Sequence, residues 1–365
     1  MPDFVSNEEI VIAARKRLPQ GPWDYLVGGS ETETTMRRNR QGYDKLAFRP
    51  RILRDVSKID TSTRFLGHNL RIPVLPAPIG SLQAFTPDGG VATAQASAEF
   101  GTIPVISTAT QPSVEDIAAS SDKPKIFQLY VRGDDDWVEA LLKRVVAAGY
   151  IGMALTVDLA VDSNRERPML SRYVRESRRG SAYEPLFQAR LDWKRMDYIK
   201  SLTNLPFMLK GVQTAEDAAI AVEHGVDVIW ASNHGGRQID HARGAMDTLP
   251  EIVNAVQGKA QIIIDGGVQR GSDVLKAIAL GATAVAIGRL QGWGLAANGK
   301  DGLVRVLEIL ENEMISAMGL LGVTSVDQLS AKDVIACEPV GWSHEMSAWV
   351  NMSKQAGVQP DGRIL

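Results

Sequence analysis

The stretch Val226–Gln238 reads Val-Asp-Val-Ile-Trp-Ala-Ser-Asn-His-Gly-Gly-Arg-Gln. Its apolar run, Val226 to Ala231, has the near-continuous hydrophobicity of a strand buried on both faces. The run ends in a polar loop where His234 and Arg237 stand three positions apart with only glycines between them. A guanidinium can hold a carboxylate through two parallel hydrogen bonds, and a neutral imidazole accepts a proton near neutral pH. Glycines let the backbone approach whatever lies between. The loop therefore suits an acid substrate and a base that attacks it.

The same apolar-then-polar unit recurs along the chain. Apolar runs at Ile72 to Ala77, Thr102 to Ile106, Lys125 to Leu129, Gly152 to Val157, Phe207 to Leu209, Val226 to Ala231, Gln261 to Ile264 and Thr283 to Ile287 alternate with helical patterns. Eight such units predict parallel strands closing into a (β/α)8 barrel, an α/β fold, with an open doubly wound sheet as the weaker alternative. The runs end in Pro78 and Gly80, Ser107, Gln128 and Tyr130, Thr156 and Asp158, Lys210, Ser232 and His234, Asp265, and Gly288 with Arg289. A barrel brings all these ends to one rim, where such folds place their active sites.

Before the first run, Ser6-Asn7-Glu8-Glu9 predicts a helix opened by a reciprocal Ser6 and Glu9 cap and stopping near Pro19. A second helical stretch covers Trp23 to Leu26, and the Arg-rich segment Arg37 to Arg54 leads into the barrel. A single domain over 1–365 is expected, with a helical extension and lead-in over 1–70, the barrel over 71–335 and a tail over 336–365. The long polar stretch from Asp162 to Asp192, rich in arginine, reads as part of the site at its start and as a mobile lid or a solvated insertion in its middle.

Composition limits the partners. Forty basic against 43 acidic residues leave a net charge of −3, so no global field favours nucleic acid or an anionic membrane. No apolar run reaches the ~20 residues that span a bilayer, and the start lacks a basic-then-apolar leader. The lone Cys337 excludes an internal disulfide and a cysteine metal cluster, and is expected as a buried thiol in a cytoplasmic protein without a metal site.

Two glycine turns stand at the last strands. Asp265-Gly266-Gly267-Val268-Gln269-Arg270-Gly271-Ser272 opens a helix and Ile287-Gly288-Arg289 closes a strand. Glycine amides, a helix amino terminus and an arginine suit a phosphate. Lys210 suits either an anion developing on a bound ring or a Schiff base.

Taken together, these segments resemble the FMN-dependent 2-hydroxy acid oxidases and dehydrogenases, the family of glycolate oxidase, lactate monooxygenase and mandelate dehydrogenase. The likeness runs from about Ile10 to Ala331 and rests on Ser232–Gln238, Asp24-Tyr25, Phe127–Tyr130, Thr156–Asp158, Arg165-Glu166, Leu209–Val212 and Asp265–Val268. It implies FMN as cofactor and oxidation of an L-2-hydroxy acid to the 2-oxo acid, with electrons passing to oxygen or another acceptor. Another FMN barrel enzyme, an isomerase or reductase, is the alternative. His234 is then the base, oriented by Asp158, and Arg165, Arg237, Tyr25 and Tyr130 bind the substrate. Pro78, Ile79, Gly80, Ser107, Gln128, Thr156, Lys210 and Ser232 surround the flavin ring, while Asp265, Gly266, Gly267, Gln269, Gly288 and Arg289 hold ribityl and phosphate. A homotetramer is the assembly the family suggests.

Three departures from the family pattern carry expectations. Gln269 replaces the usual arginine, which shifts phosphate charge onto Arg289, with Arg270 as a substitute. Pro78-Ile79-Gly80 lacks the usual threonine. Ala109 stands where glycolate oxidase has tryptophan, which implies room for a larger substrate side chain.

Overall fold

The structure, a computed structural model, describes residues 4–179 and 186–339. Eight parallel strands form its centre: β1 (Val74–Pro76), β2 (Val105–Ser107), β3 (Ile126–Leu129), β4 (Gly152–Thr156), β5 (Phe207–Val212), β6 (Val228–Ala231), β7 (Gln261–Asp265) and β8 (Ala284–Ile287). They are hydrogen-bonded in the order β1-β8-β7-β6-β5-β4-β3-β2. The circle is completed between β1 and β2 by loop contacts. Arg71 N–H donates to Gly101 O at 2.9 Å, the Thr102 hydroxyl donates to Val74 O, and Ser81 N–H donates to Ala109 O at 2.8 Å. The expected (β/α)8 barrel is present, with all eight strands where the apolar runs stand.

Both faces of each strand are buried for different reasons. Leu75, Val105, Ile126, Ala154, Met208, Val228, Trp230, Ile263 and Ala284 fill the interior, while their chain neighbours Ile106, Phe127, Met153, Leu155, Leu209, Ile229 and Ile264 pack outward against the helices. Side chains alternate along a strand, so the next inward positions follow by counting two. On β2 to β7 they are Ser107, Gln128, Thr156, Lys210, Ser232 and Asp265, a polar layer laid directly on an apolar one, while on β1 and β8 they are Ala77 and Ala286.

Several helices start at side chains that the sequence supplies. Ser113, Asp134, Asp192 and Thr214 each accept a backbone N–H of the first turn of the helix that follows. At the first helix, Asn7–Arg17, Ser6 caps Glu9 N–H as expected, but the Glu9 carboxylate takes the N–H of Val5 rather than of Ser6. The second helix is longer than its apolar core, Gln20–Val27.

Other elements depart from expectation. The Arg-rich lead-in is entered through a helix, Thr34–Asp44, which buries the polar Thr35, Asn39 and Arg40 together with Met36 and Tyr43. A hairpin, Thr63–Phe65 with His68–Leu70, plugs the opposite mouth with Phe65 and Leu70. Leu46–Phe48 pairs with Val334–Ala336 outside the barrel, and Cys337, just past that pair, is exposed rather than buried. The proposed tail over 336–365 and the middle of the Arg-rich stretch, 180–185, lie almost wholly or wholly outside the described residues. Among the described residues no helix is long and apolar enough to cross a membrane.

Phe65 is fully buried in the plug whereas Ile52 is 83% exposed. Phe65→Ala is expected to lower the unfolding free energy by about 3–5 kcal/mol in urea denaturation. Ile52→Ala should leave it within about 0.5 kcal/mol.

Candidate active site

The carboxyl ends of the strands open into one cavity, lined among others by Tyr25, Pro78, Ile79, Gly80, Ala109, Tyr130, Arg165, Lys210, His234, Arg237, Asp265, Gly266, Gly267, Gln269, Gly288 and Arg289. Ser107, Gln128, Thr156 and Ser232 are buried in the inward layer that also carries Lys210 and Asp265. The predicted residues therefore converge on one rim.

Its chemistry begins with Asp158, two positions beyond Thr156 on the inward side. His234 Nδ1 lies 2.8 Å from Asp158 Oδ1, and Lys210 Nζ lies 3.7 Å from Oδ2. A carboxylate only accepts, so Nδ1 carries the proton and Nε2 presents its lone pair. Nε2 receives the Tyr130 hydroxyl at 3.4 Å. Burial pushes that phenol up to about 12, so it remains a donor at neutral pH. The backbone of His234 is left-handed, at φ +58°, and its N–H is held by Ser232 Oγ at 3.1 Å.

Burial is the largest influence on His234 and holds its pKa below the ordinary 6.5, aided by the positive charges of Lys210 and Arg165 and opposed by Asp158. The imidazole is a base that stays neutral. Asp158 itself is pushed up by burial, but His234 and Lys210 together hold it below the usual carboxylate range. Lys210 also contacts Ser232 Oγ at 3.0 Å and Asp265 at 3.6 Å. Burial works against its charge, and the two carboxylates overcome this and raise its pKa. Lys210 is thus a fixed cation, which argues against the Schiff-base role because that chemistry needs a neutral amine. It sits inside β5, which runs on to Val212, rather than at the strand's end.

Arg165 and Arg237 form the second centre. Arg165 reaches Gln238 Oε1 at 2.7 Å and Arg237 O at 3.1 Å, while Arg237 reaches Gly28 O at 2.7 Å and lies over the Tyr25 ring at 5.1 Å. Neither makes an ion pair among the described residues. Burial, then the charges of Arg165 and Arg289, push Arg237 strongly downward. A guanidinium does not deprotonate in a protein, so that penalty becomes affinity for an anion. Tyr25 donates to Gly80 O at 3.1 Å beside them.

The glycine turns differ from expectation in one respect. The N–H groups of Gln269 and Arg270 go to Asp273, each at 3.0 Å, and that of Gly271 goes to Glu313 at 2.7 Å. The helix Gly271–Ala279 therefore starts on carboxylates, and these three N–H groups are not open to a phosphate. Arg270 pairs with Glu8 at 2.6 Å and Glu313 at 3.1 Å, so it does not substitute for the arginine missing at Gln269. The helix beginning at Arg289 behind Gly288 has no side-chain cap at its start. Arg289 is aimed by the carbonyls of Val27, Gly28 and Gly235 at 2.9–3.1 Å.

The interior also fits a flavin. Both polar atoms of the Gln128 side chain and the Thr156 hydroxyl are buried with no hydrogen-bond partner. Each such group costs about 1–3 kcal/mol unless satisfied. A planar heterocycle bearing donors and acceptors beside Lys210 would satisfy them, and Gly267 (φ +82°) keeps its loop against Asn39, whose carbonyl a Cβ there would meet at 2.6 Å.

Several positioning residues carry no local sequence signal. Asn39 and Asn233 exchange two amide hydrogen bonds at 2.9 and 2.7 Å across 194 residues, fixing the His234 loop. Arg40 grips Asp273 at 2.6 Å and Gly267 O at 2.8 Å, fixing the glycine loop. At Gly211, φ +117°, a Cβ would stand 2.7 Å from the Asp158 Cβ.

Comparison with known proteins agrees with this geometry. Residues 14–336 match the family model described as FMN-dependent dehydrogenase. A peroxisomal (S)-2-hydroxy-acid oxidase of Oryza sativa subsp. japonica is 39% identical over 350 residues, covering 91% of this chain and 96% of its own. An L-lactate oxidase of Nostoc sp. is 38% identical over 342 residues, with 87% and 94% covered. Among solved structures, a mandelate oxidase bound to 3,3-difluoro-2-hydroxy-3-phenylpropionic acid superposes with a TM-score of 0.85 at 37% identity, covering 92% of this chain and 100% of that one.

A histidine nitrogen NMR titration checks the electrostatics: His234 should titrate below 6.5. Asp158→Asn removes the charge that favours the imidazolium and leaves burial, Lys210 and Arg165 in place. The titration should then move lower still.

Proposed function

We propose a reaction from one premise: the chain belongs to the FMN-dependent dehydrogenase family. It is an FMN-dependent oxidoreductase that converts a 2-hydroxy acid to the 2-oxo acid, acting in our reading on the (S)-configured acid. One observation carries the substrate class: two half-buried guanidiniums, Arg165 and Arg237, without ion-pair partners among the described residues, share a cavity with a neutral histidine. An isomerase or a reductase on this fold has no use for that pair.

Arg165 and Arg237 grip the substrate carboxylate, and the hydroxyls of Tyr25 and Tyr130 complete its hydrogen bonding. The hydroxyl-bearing carbon then lies toward His234, whose Nε2 takes the departing proton. Asp158 stabilises the imidazolium so formed. FMN, once bound, would supply the acceptor for two electrons and the second hydrogen, with oxygen or another acceptor as the final oxidant. Ser107, Gln128, Thr156 and Ser232 would meet the polar edge of its ring and Pro78, Ile79 and Gly80 would line the ring's surroundings. Lys210 holds positive charge beside the pole that becomes negative. Asp265, Gly266, Gly267, Gln269, Gly288 and Arg289 would hold ribityl and phosphate, with the main phosphate charge on Arg289.

The side-chain pocket favours a substituent larger than that of glycolate. Ala109 is buried with Tyr130 and Leu159, and Gly80 faces it so closely that a Cβ would stand 2.9 Å from the Ala109 Cβ. For assembly and location our reading is a cytoplasmic homotetramer, supported for location by one cysteine in 365 residues and testable by fractionation and light scattering.

Anaerobic mixing with an (S)-2-hydroxy acid is expected to bleach the bound flavin. His234→Ala should retain the flavin and slow that reduction by about 10²–10⁴-fold; an unchanged rate would remove His234 from the role of base. With substrates compared as kcat/KM, mandelate should exceed glycolate. Ala109→Trp should shift the ratio toward glycolate by about 10- to 200-fold.

A further inference from the structure

The polar segment after Asp162 leads to a short helix, Leu186–Ala189, in which Gln188 is only 2% exposed. The reaction above gives Gln188 no part, yet it lines the same cavity and its carboxamide bridges two strands of the barrel wall. Its Oε1 accepts the N–H of Val131 at 2.9 Å, and its Nε2 donates to the carbonyl of Thr156 at 2.7 Å. These atoms lie just past Leu129 and Leu155, the last pair of the β3–β4 ladder. A carboxamide carries the donor, acceptor and planarity of a peptide group, so the side chain serves as one more rung.

What that rung joins is informative. Val131 follows Tyr130, and Asp158 stands two residues after Thr156. On its other flank Tyr130 is held the same way: its N–H goes to the Thr108 hydroxyl at 3.1 Å, which donates to Gln128 O at 2.6 Å. Beyond the ladder, side chains rather than strand pairing set where Tyr130 stands.

We propose that Gln188 is a positioning residue for the Tyr130, His234 and Asp158 array. By pinning β3 to β4 it sets the 3.4 Å contact of Tyr130 with Nε2 and the 2.8 Å contact of Asp158 with Nδ1. The inference rests on the hydroxy-acid oxidation assigned above to the same site.

Gln188→Met keeps the side-chain length and removes both hydrogen bonds. In full-length holoenzyme it is expected to lower kcat on the order of 10- to 100-fold, the cost of misplacing a reacting group by about an ångström. KM should change less than kcat, because the two guanidiniums that grip the carboxylate are held through Gln238 and Gly28 and only the Tyr130 contact is loosened. Flavin content should be unaffected. The acid limb of the kcat/KM profile should move to lower pH. Of the charged groups acting on His234, Asp158 favours the imidazolium while Lys210 and Arg165 oppose it, and Tyr130 is neutral, so a looser Asp158 leaves the imidazole less basic.

Gln188→Leu, which also removes both hydrogen bonds and adds no charge, should shift kcat and the acid limb the same way. Lowered thermal stability with kcat and the acid limb unchanged would make Gln188 merely structural and overturn the proposal. Failure of both variants to fold would do the same. A wild-type enzyme whose flavin no hydroxy acid reduces would instead bring down the underlying reading, and the proposal with it.

Discussion

A carboxylate buried as deeply as that of Asp158 survives only with compensating charge, and the rest of the site is arranged to provide it. Isolating such an ion from water costs several kcal/mol. Here His234 covers one oxygen and Lys210 approaches the other. Lys210 would itself be untenable without Asp265, which is held in turn by Ser232 at 2.7 Å and Trp230 at 2.9 Å. The result is a chain of alternating charges across the barrel mouth. Its members cannot be moved singly, and it fixes which nitrogen of His234 faces the cavity.

The fold makes this affordable by separating two layers. Large apolar side chains at the hairpin end and around Trp230 fill the barrel, so the polar layer above them rests on a rigid floor. The amino-terminal helices then finish the rim. Tyr25, Gly28, Asn39 and Arg40 come from chain that precedes the barrel, yet they orient the arginine pair, the histidine loop and the glycine loop.

Strand positions and the rim they share were readable because inward and outward faces are both apolar and each run ends abruptly in a polar residue. The pairing of His234 with Asp158 and the convergence of Arg165 with Arg237 followed from motif resemblance, since their contacts span 76 and 72 residues. The helix Thr34–Asp44 was hidden because Asn39 and Arg40 are buried between Met36 and Tyr43 and interrupt the apolar stripe by which an amphipathic helix is recognised. At the helix Gly271–Ala279 the cap from Asp273 is local, whereas Glu313, which takes the Gly271 N–H, lies 42 residues away. Nothing in the local sequence reports a carboxylate arriving from elsewhere in the chain.

The central claim is that one cavity presents a carboxylate clamp and a neutral base to the same small anion. A crystal structure of the full-length protein with FMN and a 2-oxo acid product tests it most directly. The account predicts the product's carboxylate hydrogen-bonded to both Arg165 and Arg237, with its keto carbon toward His234 Nε2. A carboxylate bound away from those two arginines, or a histidine turned from the ligand with the Asp158 contact broken, would contradict it.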